Sequence, residues 1–107
     1  MIVVNTEFIP GYEIGETLEL VVGNTIRCRW FGRDFAASLK QVVGGEIKSY
    51  TKMISDGRSE ALTRMKEQAG ELGADGIINV RLATSAVMQN AAELLAYGTA
   101  VKLQKSS

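Results

Sequence analysis

Cys28 supplies the single thiol of the chain, and the chain contains no histidine. Soft and borderline metals usually take several cysteine or histidine ligands, typically four around zinc. A single copy of the chain therefore cannot complete such a site. Two interpretations stay open: a symmetric assembly that brings several copies of Cys28 to one axis, or a free cysteine that packs as a small hydrophobe. No acidic stretch has the spacing of a calcium loop.

Catalytic chemistry has little support in the residue types present. A serine or cysteine nucleophile generally needs an adjacent base, most often the missing histidine. Lysine, tyrosine and carboxylate mechanisms stay open. However, Lys48 and Tyr50 are two residues apart and so do not share a helix face. Asp75, after "LGA", is expected to make local backbone bonds in a turn. We therefore predict no catalytic residues and favour a non-enzymatic protein, with an enzyme site assembled between subunits as the alternative.

The segment "RCRWFGR" combines basic and aromatic residues, which invites a nucleic-acid interpretation. Its arginines could contact phosphates while Trp30 or Phe31 stacks on bases. On a strand, Arg27 and Arg29 share a face with Phe31, and Cys28 and Trp30 take the other. The favoured alternative is a salt-bridged surface. Residues 27–52 carry six bases and two acids, whereas residues 1–26 carry four acids and no base, so the two stretches could pair across a subunit boundary.

Length and composition point to one small domain over residues 1–107. The net charge is zero, which gives no overall attraction to nucleic acid or anionic lipid. No apolar run approaches the roughly 20 residues of a spanning helix, and the N-terminus does not resemble a signal peptide. With one cysteine and no internal disulfide, the cytoplasm is the expected compartment.

Four strands are predicted from alternation and β-branched residues. The first covers about residues 2–7, and the second lies in "LELVVGNTIRCRW", where Gly23-Asn24 suggests a bulge, a kink or a break. The third is "IINVRLAT" and the last is "ELLAYGTAVKL", joined through "SAVMQNAA". The last strand is apolar on both faces, which usually means that both are covered. One cover is a helix, and the other is expected to come from a second subunit.

Two helices are predicted between the second and third strands. The shorter is "GRDFAASLKQVVGG", with an apolar stripe at Phe35, Leu39, Val42 and Val43. The longer runs from "EIKSY" to "AGEL". Its near-helical apolar positions are Ile47, Tyr50, Ile54, Ala61, Met65, Ala69 and Leu72. Gly57 predicts a bend there, or two helices with Ser55 or Asp56 capping the second. Glu60 and Arg64 form a favourable i, i+4 pair.

The stretch "ELGADGIINV" is the joint between the long helix and a strand, because Gly73 suits the left-handed residue after a helix end. Strands joined through a crossover helix usually run parallel, and the last two strands form an antiparallel hairpin. The predicted fold class is therefore a two-layer α+β domain, with an antiparallel or mixed sheet and one long and one short helix.

"VVGGEIKSY", "EALTRMKEQAGELGADGIINVR" and "AYGTAVKL", in this order, resemble the YbjQ-like family of small bacterial and archaeal proteins, often labelled heavy-metal-binding. The resemblance implies a dodecin-like β-α-β-β core and a ring-shaped homopentamer. It brings no established activity, cofactor or catalytic residue. In this frame Gly44-Gly45 would end one helix and open the next. Gly98 would let another backbone approach the last strand.

These observations predict a cytoplasmic homo-oligomer, of five subunits by the family resemblance, that binds a small ligand or metal between subunits. Flavin binding by dodecins makes a flat ligand conceivable, but a shared fold does not carry function. The expected partners are other copies of the chain, with no membrane and no nucleic acid. We predict no metal ligands within one chain and leave the cofactor unassigned.

Overall fold

The computed structural model describes residues 1–28, 44–88 and 91–106. Four strands form one sheet in the order β1-β3-β4-β2. Their bounds are β1 Ile2–Val3, β2 Tyr12–Cys28, β3 Gly76–Met88 and β4 Ala91–Lys105, and one helix, α1, spans Gly44–Glu71. β1 is parallel to β3, while β2 and β3 are both antiparallel to β4. The predicted α+β class with a mixed sheet is confirmed. The predicted short helix falls within residues 29–43, outside the described residues.

β2 and β3 therefore run in the same direction, with β4 between them, as predicted for strands joined through a crossover helix. β3 and β4 are longer than the sequence indicated, because pairing continues to Met88 and Ala91. β1 is shorter than predicted. Beyond Val3 the chain still bonds to β3, since Val4 N–H donates to Ile77 O and Asn79 N–H donates to Thr6 O, both at 2.9 Å. The pairing loses its regular form where Asn79 adopts a φ of 53°.

The helix packs on one face of the sheet, here called the helix face. Ala61, Met65 and Ala69 are fully buried against strand residues that include Val21 and Ala96. The predicted packing of these three helix residues is confirmed. Tyr50 and Leu72 were predicted in the same stripe, but both are exposed.

α1 is continuous through Gly57, so the predicted bend or break is wrong. Gly57 instead lets the helix approach the sheet, because a Cβ there would lie 2.7 Å from Leu94 Cδ1. Ser55 and Asp56 do not cap a second helix. Their side chains accept hydrogen bonds from Arg58 and Lys52 on the same helix.

β2 is also continuous through Gly23, so the bulge predicted there is wrong. A Cβ on Gly23 would collide with the backbone of α1 at Ala61 and Met65. The glycine is therefore the place where the helix backbone lies directly on the strand. The register shifts of β2 occur earlier, between Ile14 and Glu16 and between Thr17 and Glu19.

The predicted joint after α1 is confirmed. Gly73 has a φ of 77°, its N–H donates to Gly70 O at 3.0 Å, and Ala74 N–H donates to Ala69 O at 3.1 Å. These two bonds form a Schellman motif, which satisfies the last helix carbonyls. Gly44 and Gly45 are the first residues of α1, as predicted for the start of the long helix, while the shorter helix that they were predicted to end lies outside the described residues.

The second face of the sheet, here called the open face, is covered at one end. Ile9 packs there on Ile78 and Val101. The two predicted faces of β4 are confirmed, since Leu94, Ala96 and Ala100 are buried on the helix face, whereas Tyr97 is exposed on the open face. Gly98 admits a close neighbour, as predicted. The neighbour is β3 of the same chain, because a Cβ would lie 3.0 Å from Ile78 O.

Candidate functional site

The open face carries an uncovered apolar patch at its middle. Leu20, Val22 and Ile26 of β2 are 61%, 38% and 58% exposed, and Tyr97 of β4 is 36% exposed. These four residues are here called the open-face patch. Tyr97 lies between Val22 and Arg81 in one cross-strand row. Because α1 packs on the opposite face, no described element covers this patch.

The far end of β3 is exposed on both faces. Every residue from Arg81 to Met88 is exposed, and Leu82, Val87 and Met88 are among the large apolar ones. β1 ends at Val3, so within the described residues no strand pairs with the outer side of β3 beyond Val80. The outer side of Arg81–Met88 is here called the β3 edge. Unpaired strand edges of this kind are templates for pairing with another chain.

The opposite edge of the sheet, along β2, is partly closed by α1. Val22 N–H donates to Gln68 Oε1 at 2.6 Å, and Arg64 Nη1 donates to Asn24 O at 2.6 Å. Glu60 forms ion pairs with both Arg64 and Arg27. The predicted Glu60–Arg64 pair is confirmed, and Arg27 pairs with the helix rather than with an acid of residues 1–26. Three side chains of α1 spaced one helical turn apart, Glu60, Arg64 and Gln68, therefore occupy the middle of the β2 edge.

The first part of the β2 edge is acidic. Glu13, Glu16 and Glu19 are all exposed, and none of them forms an ion pair with a described residue. Charged side chains and bulges on an edge strand usually limit indiscriminate pairing. The β3 edge has one charged residue, Arg81, whose guanidinium donates to Asn5 O at 2.8 Å.

Cys28 is exposed at the end of β2, so the buried-hydrophobe interpretation is wrong. Across the sheet it lies beside Ala91, which is paired in turn with Met88. In residues 1–28, 44–88 and 91–106, no three cysteine, aspartate or glutamate side chains gather as a metal-binding group. Arg29, Trp30, Phe31 and Arg33 lie outside the described residues, so the expectation of a salt-bridged surface rather than a nucleic-acid interface stays a prediction.

Asp75 behaves differently from the prediction of purely local bonds. Its Oδ2 accepts from Leu103 N–H at 2.9 Å, and its own N–H donates to Val101 O at 2.9 Å. The side chain thus extends the β3–β4 ladder by one bond, which the position after a turn did not reveal. Sequence reasoning also missed the contacts of Arg64 and Gln68 with β2. The i, i+4 spacing of Glu60, Arg64 and Gln68 was the available signal.

No helix in the described part of the chain has the length and apolar character needed to cross a membrane.

The fold defines a small α+β protein in which one long helix covers one face of a four-stranded mixed sheet. A family model described as "YbjQ_1: Putative heavy-metal-binding" matches residues 1–104, and the chain belongs to this family. The resemblance inferred from the three sequence motifs is confirmed.

Two relatives match over nearly their whole length. A UPF0145 protein from Fervidobacterium nodosum is 55% identical over 107 residues, which cover 100% of this chain and 99% of the relative. A UPF0145 protein from Methanoculleus marisnigri is 57% identical over 103 residues, 96% of each chain. The crystal structure of a DUF74 family protein from Pediococcus pentosaceus superposes with a TM-score of 0.65 at 21% identity, covering 97% of this chain and 98% of that one. This last likeness shows the fold alone.

Proposed function

We propose that the chain is the subunit of a homo-oligomeric binding protein, which holds a small ligand or metal between copies rather than catalysing a reaction within one chain. The observation that carries the proposal is the open-face patch. Four large side chains are exposed together on a sheet whose other face is packed on a helix. Exposed apolar patches rimmed by polar residues mark interaction sites in soluble proteins.

A second copy of the chain is the partner that we propose for this patch. β4 has apolar residues on both faces, and the N-terminal segment covers the open face only around Val101. Burying the exposed parts of Leu20, Val22, Ile26 and Tyr97 would favour association by roughly 25 cal/mol per Å² of apolar surface. By the family resemblance we expect a ring of five subunits.

The proposed ligand site lies between copies because one chain lacks a ligand set. The chain has one cysteine and no histidine, and the described acidic side chains do not converge. The family description names heavy metals, and soft metals prefer thiolate and thioether ligands. A ring would repeat each ligand around an axis. We place the protein in the cytoplasm, since a free exposed thiol suits a reducing compartment.

Native mass spectrometry on untagged protein purified without chelator tests the proposal. The expected result is a multi-subunit mass, with five subunits as the specific expectation. A reproducible additional mass would identify the ligand class. A monomer at micromolar concentration would contradict the proposal.

The metal alternative is tested by zinc and copper titration of the wild type and Cys28→Ser. Binding that depends on both Cys28 and assembly supports a shared metal site on the ring. Equal binding by the two proteins removes Cys28 as a ligand and leaves the proposal with a different ligand class.

A further inference from the structure

We infer that the β3 edge of one copy pairs, as a parallel strand, with the Glu13–Leu20 part of the β2 edge in the next copy. This inference rests on the proposed homo-oligomer and names two edge surfaces that would join neighbouring copies in addition to the open-face patch. The two edges of the sheet differ: the β2 edge is acidic and partly closed by α1, whereas no described residue pairs with the outer side of β3 along Arg81–Met88.

The hydrogen bonds to α1 show which residues of β2 point their backbone groups towards β4 and which point them away. Val22 N–H donates to Gln68 and Asn24 O accepts from Arg64, so the backbone groups of these two strand residues point away from β4. In an antiparallel ladder the residue opposite Val22 then points its groups away from β2. That residue is Tyr97, so its backbone groups point to β3.

The same alternation continues into β3. Tyr97 is opposite Arg81, so the backbone groups of Arg81 bond to β4. The residues after Arg81 then alternate between pointing away from β4 and bonding to it. The N–H and C=O groups of Leu82, Thr84 and Ala86 therefore point away from β4, towards the outer edge of the sheet. Their side chains lie on the helix face, because Leu82 is paired with Ala96.

A parallel neighbour can keep the helices of both copies on the same side of the extended sheet. In a parallel ladder, a residue that points its backbone groups at its neighbour lies beside a residue whose own groups point away. On β2, Glu16 fulfils this condition. It is paired with Lys102 on the helix face of β4 and bonds to β4. Thr84 of one copy can thus lie beside Glu16 of the next with both side chains on the helix face.

Strand direction also agrees with a closed ring. β2 and β3 run the same way in one chain, so rotation about an axis along the strands places β3 of one copy parallel to β2 of the next. Such a contact joins two different surfaces of the subunit. Repeated contacts of this head-to-tail type form a closed ring when the rotation from one copy to the next divides a full turn evenly. The β2 bulges near Ile14 and Thr17 add the local twist and curvature that closure needs.

Charge selects the acidic part of β2 as the partner surface. Arg64 and Gln68 occupy the middle of the β2 edge, and no other described residue pairs with the outer side of Tyr12–Val21, at one end of a molecule with extents of 61 × 22 × 15 Å. Glu16 and Arg27 are separated by roughly 36 Å along the strand. The β3 edge contains Arg81, and Arg27 lies at the same end of the sheet, since it is paired with Ala92, which is paired in turn with Ala86. Staggered pairing would bring opposite charges together and would disfavour contact between like ends.

Proline at position 84 tests the inference, with valine as the matched control. Thr84→Pro removes an N–H that points out of the sheet and leaves the β3–β4 ladder intact, so far-UV circular dichroism should match the wild type. Native mass spectra should be dominated by monomer for Thr84→Pro and by the wild-type oligomer for Thr84→Val. If Thr84→Pro assembles like the wild type, the inference is wrong and the proposed homo-oligomer stands. A monomeric wild type would instead remove the proposed function and, with it, the inference.

Disulfide trapping keeps the test valid even if the proline variant misfolds. In a Cys28→Ser background, the combination of Thr84→Cys and Glu16→Cys should give covalent species larger than dimers on non-reducing gels. Each single cysteine variant should stay monomeric. Covalent dimers from Thr84→Cys alone would show that two β3 edges pair about a two-fold axis, and would overturn the head-to-tail contact. The absence of cross-links in the double variant, with the oligomer intact, would also overturn it.

Discussion

Gly23 of β2 lies directly against the backbone of α1 at Ala61, with no room for a side chain between them. This contact allows Met65 to be fully buried in the core. It also holds the helix close enough to the strand for Gln68 and Arg64 to reach the backbone of Val22 and Asn24. One absent Cβ therefore determines both the core packing and the protection of the β2 edge.

We expect Gly23→Ala to destabilise the protein by about 1–3 kcal/mol or more, because the added methyl group must displace helix backbone. Urea unfolding monitored by circular dichroism measures the change. Gly70→Ala, on the helix that Gly23 contacts, is the control, since a Cβ there meets nothing within 4 Å. It should be neutral or stabilising by up to about 1 kcal/mol. Equal stability of Gly23→Ala and wild type would mean that the helix does not lie against Gly23.

The Arg27–Glu60–Arg64 cluster should contribute modestly and in a salt-dependent way. All three side chains are partly exposed, at 34%, 32% and 51%. Glu60→Gln is therefore expected to lower the free energy of unfolding by about 1 kcal/mol or less, and the difference should shrink in high salt. The Lys52–Asp56 pair is more exposed, so Asp56→Asn serves as the control with little effect. A larger loss from Asp56→Asn than from Glu60→Gln would contradict this ranking.

Asp75 should stabilise the end of the β3–β4 ladder. Asp75→Ala leaves Leu103 N–H without its 2.9 Å partner, so we expect a loss of about 1–2 kcal/mol. Asp75→Asn retains a carbonyl acceptor and should lose less. Hydrogen exchange provides a local measurement, because the Leu103 amide should exchange faster in Asp75→Ala. Unchanged protection of that amide would exclude the bond.

The open-face patch should govern assembly without supporting the fold of one chain. Ile26→Lys places a charge where the apolar side chain is 58% exposed, so we expect a folded protein with a reduced subunit number. Leu72→Lys, at an exposed apolar position just after α1, is the matched control and should assemble normally. Light scattering after size-exclusion chromatography distinguishes the two. Normal assembly of Ile26→Lys would place the subunit contact elsewhere.

The sequence was informative where a side-chain pattern has a direct physical meaning. Alternation in "ELLAYGTAVKL" assigned both faces of β4, helical spacing identified Ala61, Met65 and Ala69, and Gly73 identified the end of α1. Glycine was interpreted less well. A glycine inside a strand or helix pattern predicted a bulge at Gly23 and a bend at Gly57, but each is a point of close approach between helix and sheet. Only the folded partner distinguishes these roles.

The register between strands could not be predicted from the sequence for a related reason. The bulges of β2 and the bond from Leu103 to Asp75 depend on which residues of distant strands are opposite each other. The candidate interaction surfaces were partly predictable. A two-sided apolar β4 indicated an uncovered face, but the unprotected β3 edge became evident only after β1 was seen to end at Val3.

The irregularity at Asn79 sets the phase of everything that follows it in β3. Three steps along β3, from Ile78 to Arg81, match two steps along β4, from Thr99 to Tyr97. Beyond this point Arg81 faces the open side and Leu82 the helix side, the reverse of regular alternation counted from Ile78. Removing a single residue here would turn the irregular step into a regular one, so Arg81 would stay opposite Tyr97 on the open face and Leu82 on the helix face. Removing one residue from the regular part that follows would instead exchange the two faces for the residues beyond the deletion. One residue can therefore be lost at the irregularity without reversing the faces of β3, whereas changes of length in the regular part should be tolerated in twos.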